Sequence, residues 1–225
     1  MRARSLGFAL ALLTASTGGA AAAAPPPPVF SWWGGYLGLQ VGYAWADAGG
    51  EDCNWARTGC PDYDTGATGL VGGAYAGFNW QISQLVLGIE GDIEGSTVSG
   101  RSSFRSPYVA YVFGHSVDET WQGSVRARLG YAVERTLVYA TAGVAYGDFF
   151  NNVWRLGKSF HAYGEVRSGW TVGAGIEQAV SDNVIARLEY RYTGFESSEN
   201  SFGSNSTLIQ DLNLQAVRLG LAYKF

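Results

Sequence analysis

The sequence predicts an all-β chain, a transmembrane, eight-stranded, antiparallel up-and-down β-barrel. Three observations predict it. Segments of about ten residues alternate apolar positions with small or charged ones, the two-residue period of a strand. The charged faces of these segments hold acids and bases in near-equal number. Short turns and long connections also alternate along the chain, as they do in barrels that span a membrane.

The stretch at residues 212–225, LNLQAVRLGLAYKF, shows the first observation most clearly. Val217, Leu219, Leu221, Tyr223 and Phe225 share one face, and Ala216, Arg218, Gly220, Ala222 and Lys224 share the other. In a soluble sheet the charged face would meet water and the apolar face a core. In a membrane barrel the apolar face meets lipid and the charged face meets the lumen. Taken alone, this stretch is compatible with either.

Composition favours strands. The chain has 225 residues with 32 Gly, 8 Trp, 13 Tyr and 15% charged residues, a glycine- and aromatic-rich balance that suits sheets better than helices. The body holds no apolar window of ~18 residues, so no transmembrane helix is expected there. With a formal net charge of −4 and no basic run, the chain gives no support for nucleic-acid binding.

The start reads as a secretory signal peptide over residues 1–24. Arg2 and Arg4 form a basic head, residues 6–13 (LGFALALL) a short apolar run, and residues 20–24 offer small-residue cleavage sites. Residues 25–32 then form a Pro-rich periplasmic lead-in, extended by Pro25 to Pro28. The barrel occupies residues 33–225.

Eight strands follow in order. Residues 35–46 put Leu37, Leu39, Val41, Tyr43 and Trp45 on one face. Residues 69–80 are a glycine-rich strand ending in Phe78 and Trp80. Residues 85–94 set Leu85, Leu87, Ile89 and Ile93 against Glu90, Asp92 and Glu94. Residues 120–132 set Trp121, Val125, Ala127, Leu129 and Tyr131 against Gln122, Ser124, Arg126 and Arg128. Residues 137–147 alternate more weakly. Residues 169–179 set Trp170, Val172, Ala174 and Ile176 against Thr171, Gly173, Gly175 and Glu177. Residues 184–193 set Ala186, Leu188, Tyr190 and Tyr192 against Arg187, Glu189 and Arg191. Residues 212–225 close the set. Turns are expected at 81–84, 133–136 and 181–183, and long loops at 47–68, 96–118, 148–166 and 194–211.

The charged faces decide the orientation. Glu90, Asp92, Glu94, Glu177 and Glu189 stand against Arg126, Arg128, Arg187, Arg191, Arg218 and Lys224. A soluble ligand-carrying barrel is apolar inside and polar outside, the inverse arrangement. An eight-stranded interior is just wide enough for side chains to fill it. The acids and arginines are therefore expected to form an ion-pair network in the lumen, with Arg218 within reach of acids such as Glu189 on the preceding strand. The apolar face of the closing strand then meets lipid.

Cys53 and Cys60 lie in a polar segment of an exported chain. They read as a local disulfide closing one loop, with two free thiols as the alternative. No metal site is expected, because the pair brings no nearby His and no second pair.

Seven stretches carry a family resemblance: GGYLGLQVGYAWAD (34–47), LVLGIEGDI (85–93), SVRARLGYA (124–132), LVYATAGVAYG (137–147), GWTVGAGIE (169–177), ARLEYRYTGF (186–195) and VRLGLAYKF (217–225). In this order they resemble the small outer-membrane immunogenic proteins of alphaproteobacteria, within the superfamily of small OmpA-like membrane barrels. The resemblance implies an eight-stranded barrel in the outer membrane. It also implies that Tyr223 and Phe225 belong to the terminal signal read by the barrel-assembly machinery. Members of the family are often called porins or surface antigens. The loop bearing Cys53 and Cys60 falls outside the family pattern.

These readings predict a structural or surface-interaction barrel in the cell outer membrane, with both termini periplasmic. A small passive porin-type channel is the alternative. A lipid- or peptide-modifying enzyme is disfavoured, because only His115 and His161 are available, both in long loops, and the lumen is charged where an acyl substrate would need an apolar slot. No cofactor is expected. The expected partners are outer-membrane lipid and lipopolysaccharide, the assembly machinery, and an extracellular ligand at the long loops. A monomer is expected over an oligomer.

Overall fold

The computed structural model describes residues 30–53, 62–105, 112–155, 158–201 and 207–225. Nine strands are present in these segments: β1 (Gly34–Cys53), β2 (Asp62–Ile82), β3 (Leu85–Ser96), β4 (Ser99–Arg105), β5 (Val112–Val133), β6 (Thr136–Arg155), β7 (Lys158–Ala179), β8 (Val184–Ser201) and β9 (Thr207–Lys224). All pairings are antiparallel. The ladder runs β1-β9-β8-β7-β6-β5-β3-β2 and closes through β1–β2. β4 continues β3, because both pair with β5 on one side and β2 on the other. The nine segments therefore build one closed eight-stranded up-and-down barrel. Closure is completed between the first and last strands, from Tyr36↔Lys224 to Cys53↔Thr207, and it leaves no sheet edge to hydrogen-bond into lipid.

The alternation sorts the side chains as a membrane barrel requires. Leu39, Val41, Ile89, Ile93, Val125, Leu129, Leu219 and Leu221 are half or more exposed on the outer wall. Glu90, Glu94, Arg126, Arg187, Glu189 and Arg218 are buried inside. The outward apolar band runs from Val133 to Trp121 on β5 and from Phe225 to Val217 on β9, and aromatic side chains mark its edges.

Three connections are the expected short turns. Ser83 and Glu134 adopt positive φ, 57° and 53°, in the two-residue turns between β2 and β3 and between β5 and β6.

The long loops are a correction. β1 and β2 stay paired as far as Glu51↔Asp62, β4 and β5 to Arg105↔Val112, β6 and β7 to Arg155↔Lys158, and β8 and β9 to Ser201↔Thr207. Much of what reads as loop is strand standing beyond the apolar band. There the outward positions no longer need to be apolar, so the alternation disappears while the ladder continues.

One irregularity shapes the interior. Between β3 and β4 the chain kinks at Thr97 and Val98. Thr97 N donates to Leu70 O (2.9 Å), and Glu119 N donates to Val98 O (3.0 Å). At the same level a bulge between Glu119 and Trp121 shifts the register of β5 against β6. The kink turns Val98 into the lumen, where it is buried. Gly69 makes room for it, since a Cβ there would lie 2.5 Å from the Thr97 carbonyl and from Val98 Cα.

Candidate functional site

Among the described residues the lumen is the interior of the barrel, so a site inside it is built there. Inward positions of β3, β5, β7, β8 and β9 supply five carboxylates and five guanidiniums at its middle. Arg126 on β5 reaches Glu90 (2.5 Å), Glu189 (2.8 Å) and Asp92 (3.1 Å). Arg187 on β8 grips Glu90 and also holds Glu177 at 2.6 Å. Arg128 pairs with Glu177 at 3.0 Å. Arg191 joins Asp92 (3.1 Å) to Glu189 (2.8 Å). Arg218 meets Glu94 at 2.9 Å. The structure thus brings all ten residues into one network.

Neutral side chains add hydrogen bonds to the carboxylates. Tyr36 OH donates to Glu90 Oε2 (2.6 Å) and accepts from Arg128 Nη1 (2.8 Å). Tyr139 OH donates to Glu189 (2.7 Å), Ser124 Oγ to Asp92 (2.6 Å) and Gln40 Nε2 to Glu94 (3.0 Å). The guanidinium of Arg187 lies 4.0 Å from the Tyr75 ring centroid, and that of Arg128 lies 4.2 Å from Tyr139, stacking charge on aromatic faces. Burying ions this deeply is tolerable only when each is paired and hydrogen-bonded.

Arg218 points inward and reaches an acid, on β3 and not on the preceding strand. Arg218 and Glu189 are register neighbours on β9 and β8, yet Arg218 pairs with Glu94 on β3. Glu189 is taken by Arg126 and Arg191, so the lumen joins Arg218 to a farther wall. Lys224 also stands apart, at the rim, with Nζ 5.5 Å from the Phe30 ring.

Two apolar layers flank the network, and neither was foreseen. At the rim where β1 begins and β9 ends, Phe30 and fully buried Trp32 pack with Val86, Leu137 and Ile185. Their rings meet edge to face at 4.9 Å, and Trp32 N donates to Gln81 Oε1 (2.6 Å). Of the expected lead-in over residues 25–32, positions 30–32 thus reach the barrel mouth. Gly34, at φ 122°, lets the chain turn there, sending Trp32 inside while Trp33 stays half-exposed outside. The rest of that segment and the signal peptide lie outside the described residues.

At the other rim, Val71, Val98, Phe149, Phe195, Leu212 and Leu214 form a second apolar layer. Phe149 and Phe195 meet edge to face at 4.8 Å. On β9 the polarity inverts here, with Leu212 and Leu214 inside. Asn213 and Gln215 point outward to accept hydrogen bonds from Tyr192 (2.9 Å) and Tyr190 (2.7 Å).

Tyr223 and Phe225 are exposed at the terminal rim, with ring centroids 5.4 Å apart. Phe225 N donates to Gly35 O at 3.0 Å. Cys60 lies outside the described residues, and Cys53 is placed only as the last residue of β1. His115 and His161 are strand residues of β5 and β7, with side chains outside the described set.

The closed ladder, the apolar outer band and the charged interior agree with a match along nearly the whole chain: the family model for the outer membrane protein β-barrel domain covers residues 8–225. The chain belongs to this outer-membrane β-barrel family. Among curated proteins it is 39% identical over 208 residues to the 31 kDa outer-membrane immunogenic protein of Brucella melitensis, covering 87% of this chain and 84% of that one. It is 34% identical over 197 residues to the 22 kDa outer membrane protein of Rhizobium leguminosarum, covering 87% and 79%. Among solved structures it resembles the outer membrane protein OprG from Pseudomonas aeruginosa, at a TM-score of 0.54 and 12% identity over 86% of this chain and 97% of that one, which speaks to fold alone. The expected fold class and outer-membrane location are therefore borne out. Within the family, this chain is a barrel with a charged interior.

Proposed function

We propose that this protein is a closed, non-conducting barrel whose role is structural and surface-exposed, with no through-channel and no catalytic activity. The observation that carries the proposal is the cross-lumen grip of Arg187 on Glu90, both fully buried. Their side chains occupy the axis that a solute would have to follow. The apolar layers above and below supply a second and a third barrier. A porin-type pore would need a hydrated gap through all three.

Both termini are assigned to the periplasm. The short turns at their rim and the long hairpins at the other support this orientation. It leaves the tall hairpins facing outward, which fits the word "immunogenic" in the names of the relatives. These hairpins are the surface where lipopolysaccharide or an extracellular ligand would bind. Tyr223 and Phe225, exposed at the end of β9, would be read by the assembly machinery, and the finished barrel would act as a monomer.

Liposome swelling tests the reading. Vesicles carrying the refolded barrel should take up small sugars no faster than protein-free vesicles. Uptake that rises with the amount of barrel would establish a porin instead.

A further inference from the structure

We propose that residues 30–32 are a latch: they dock in the barrel mouth only after β1 has paired with β9, and once docked they slow the unfolding of the barrel. The proposal rests on where their partners come from. Phe30 and Trp32 are buried, yet neither belongs to the ladder, whose first pair with β2 is Gly34↔Asn79. They share one apolar cluster with Val86, Ala132, Leu137, Ala179, Ile185 and Ala222, inward residues of β3, β5, β6, β7, β8 and β9 in turn. β2 adds Gln81, whose Oε1 accepts from Trp32 N at 2.6 Å. The receptor is therefore a ring contributed by the whole wall. A sheet that has not closed offers an arc of that ring, and an arc cannot enclose an indole.

The seam between the first and last strands is part of the receptor. Gly34 turns the chain into the mouth at φ 122°, and a Cβ there would lie 3.2 Å from Phe225 O. One residue on, Gly35 O accepts from Phe225 N at 3.0 Å. The hinge of the latch thus rests against the end of β9 and takes shape when the two ends of the barrel meet. Phe30 then has two cations near its ring, Lys224 Nζ at 5.5 Å and Arg135 Cζ at 5.6 Å from the centroid. Lys224 belongs to β9, beside the seam. Arg135 stands in the turn between β5 and β6, on the wall opposite β1. Docked, the latch ties the seam to the far wall without using a bond of the ladder.

A segment held in this way can leave while the ladder stays whole, so docking and closure are separate steps. Interactions made after the transition state for closure slow unfolding and leave the folding rate alone. That kinetic signature separates a latch from an aromatic cluster that helps the barrel to form.

The test is a pair of rates for the refolded barrel, both read by heat-modifiable gel mobility: appearance of the closed form on refolding, and its loss in urea. For Trp32→Ala the closed form should appear within about twofold of the unaltered rate, and its loss should be about a hundredfold faster, because the whole cost of the emptied site falls on unfolding. Gly34→Ala keeps both rings but strains the hinge, and it should speed unfolding about tenfold with refolding unchanged. Refolding of Trp32→Ala slowed by more than about twofold would place the segment in the folding nucleus, before closure, and overturn the proposal. Unchanged unfolding would also overturn it, because a segment that holds nothing is not a latch. If Trp32→Ala yields no closed form, Trp32→Phe, which leaves a smaller ring in the mouth, decides on the same two rates. These rates read closure and not conductance, so solute uptake that sinks the closed-lumen reading would leave the latch standing.

Discussion

Arg187 on β8 and Glu90 on β3 sit on opposite walls, four strands apart by either route around the barrel, and their side chains meet in the middle of the lumen. No local feature of either strand creates this contact. It exists because closure brings the two walls within reach of each other's side chains. The same relationship recurs between Arg191 and Asp92. These pairs act as struts, setting the lumen's diameter while filling it.

Removing one end of a strut should be worse than removing both. Glu94→Leu leaves Arg218 buried without the one carboxylate within salt-bridge distance of it among the described residues and should cost about 3–5 kcal/mol. The double variant with Arg218→Met should recover much of that loss, since an apolar pair avoids the desolvation of two ions. Urea unfolding followed by heat-modifiable gel mobility reads both. A double variant no more stable than Glu94→Leu would show that the pair contributes beyond mutual neutralisation.

The two faces of β9 should respond to charge for different reasons. Leu219 is 60% exposed in the middle of the apolar band, so Leu219→Arg should cost ~2–4 kcal/mol by placing a cation in hydrocarbon. Ala216 lies inside but is 1% exposed, in a layer with no room for a long side chain. Ala216→Arg should therefore also fail, by overpacking. Ala216→Arg matching the wild-type midpoint would mean a roomier lumen than the structure has.

Trp32 seals the mouth at the terminal rim without belonging to the barrel wall. Trp32→Ala should lower stability by about 3–5 kcal/mol, as for a large aromatic removed from a core. It should nonetheless leave the lumen impermeable, because the network beyond it is intact. Solute uptake by this variant alone would locate the barrier at the mouth.

Gly69 is required by close approach. Gly69→Val should cost about 1–3 kcal/mol, since its Cβ would press on the Thr97 carbonyl at 2.5 Å. The loss should persist when Val98 is also shortened to Ala, because the nearest atoms, Thr97 C and O and Val98 Cα, are all backbone. A loss that shrinks in the double variant would place the strain in the Val98 side chain instead.

The apolar band and the charged interior were legible because a strand's period of two assigns every residue to a face. Arg126, Glu177 and Glu189 could be placed inside from the sequence for that reason. Their partners could not. Which acid Arg218 meets depends on the tilt and stagger of the closed barrel, and alternation carries no information about either. The strand extensions around Phe149 and Phe195 were hidden because their outward neighbours are free to be polar beyond the bilayer. Leu212 and Leu214 did alternate, with inverted polarity, and that inversion was the available signal for the outer apolar layer. Trp32 gave no periodic signal at all. Its burial follows from a turn at Gly34, one step before the first strand residue that alternation could assign.

Planar-bilayer conductance of the refolded barrel tests the central claim most directly. With Arg187 and Glu90 joined across the lumen, the account predicts a flat baseline over a wide voltage range and across salt concentrations. Steady, open single-channel steps that persist after repurification would contradict it.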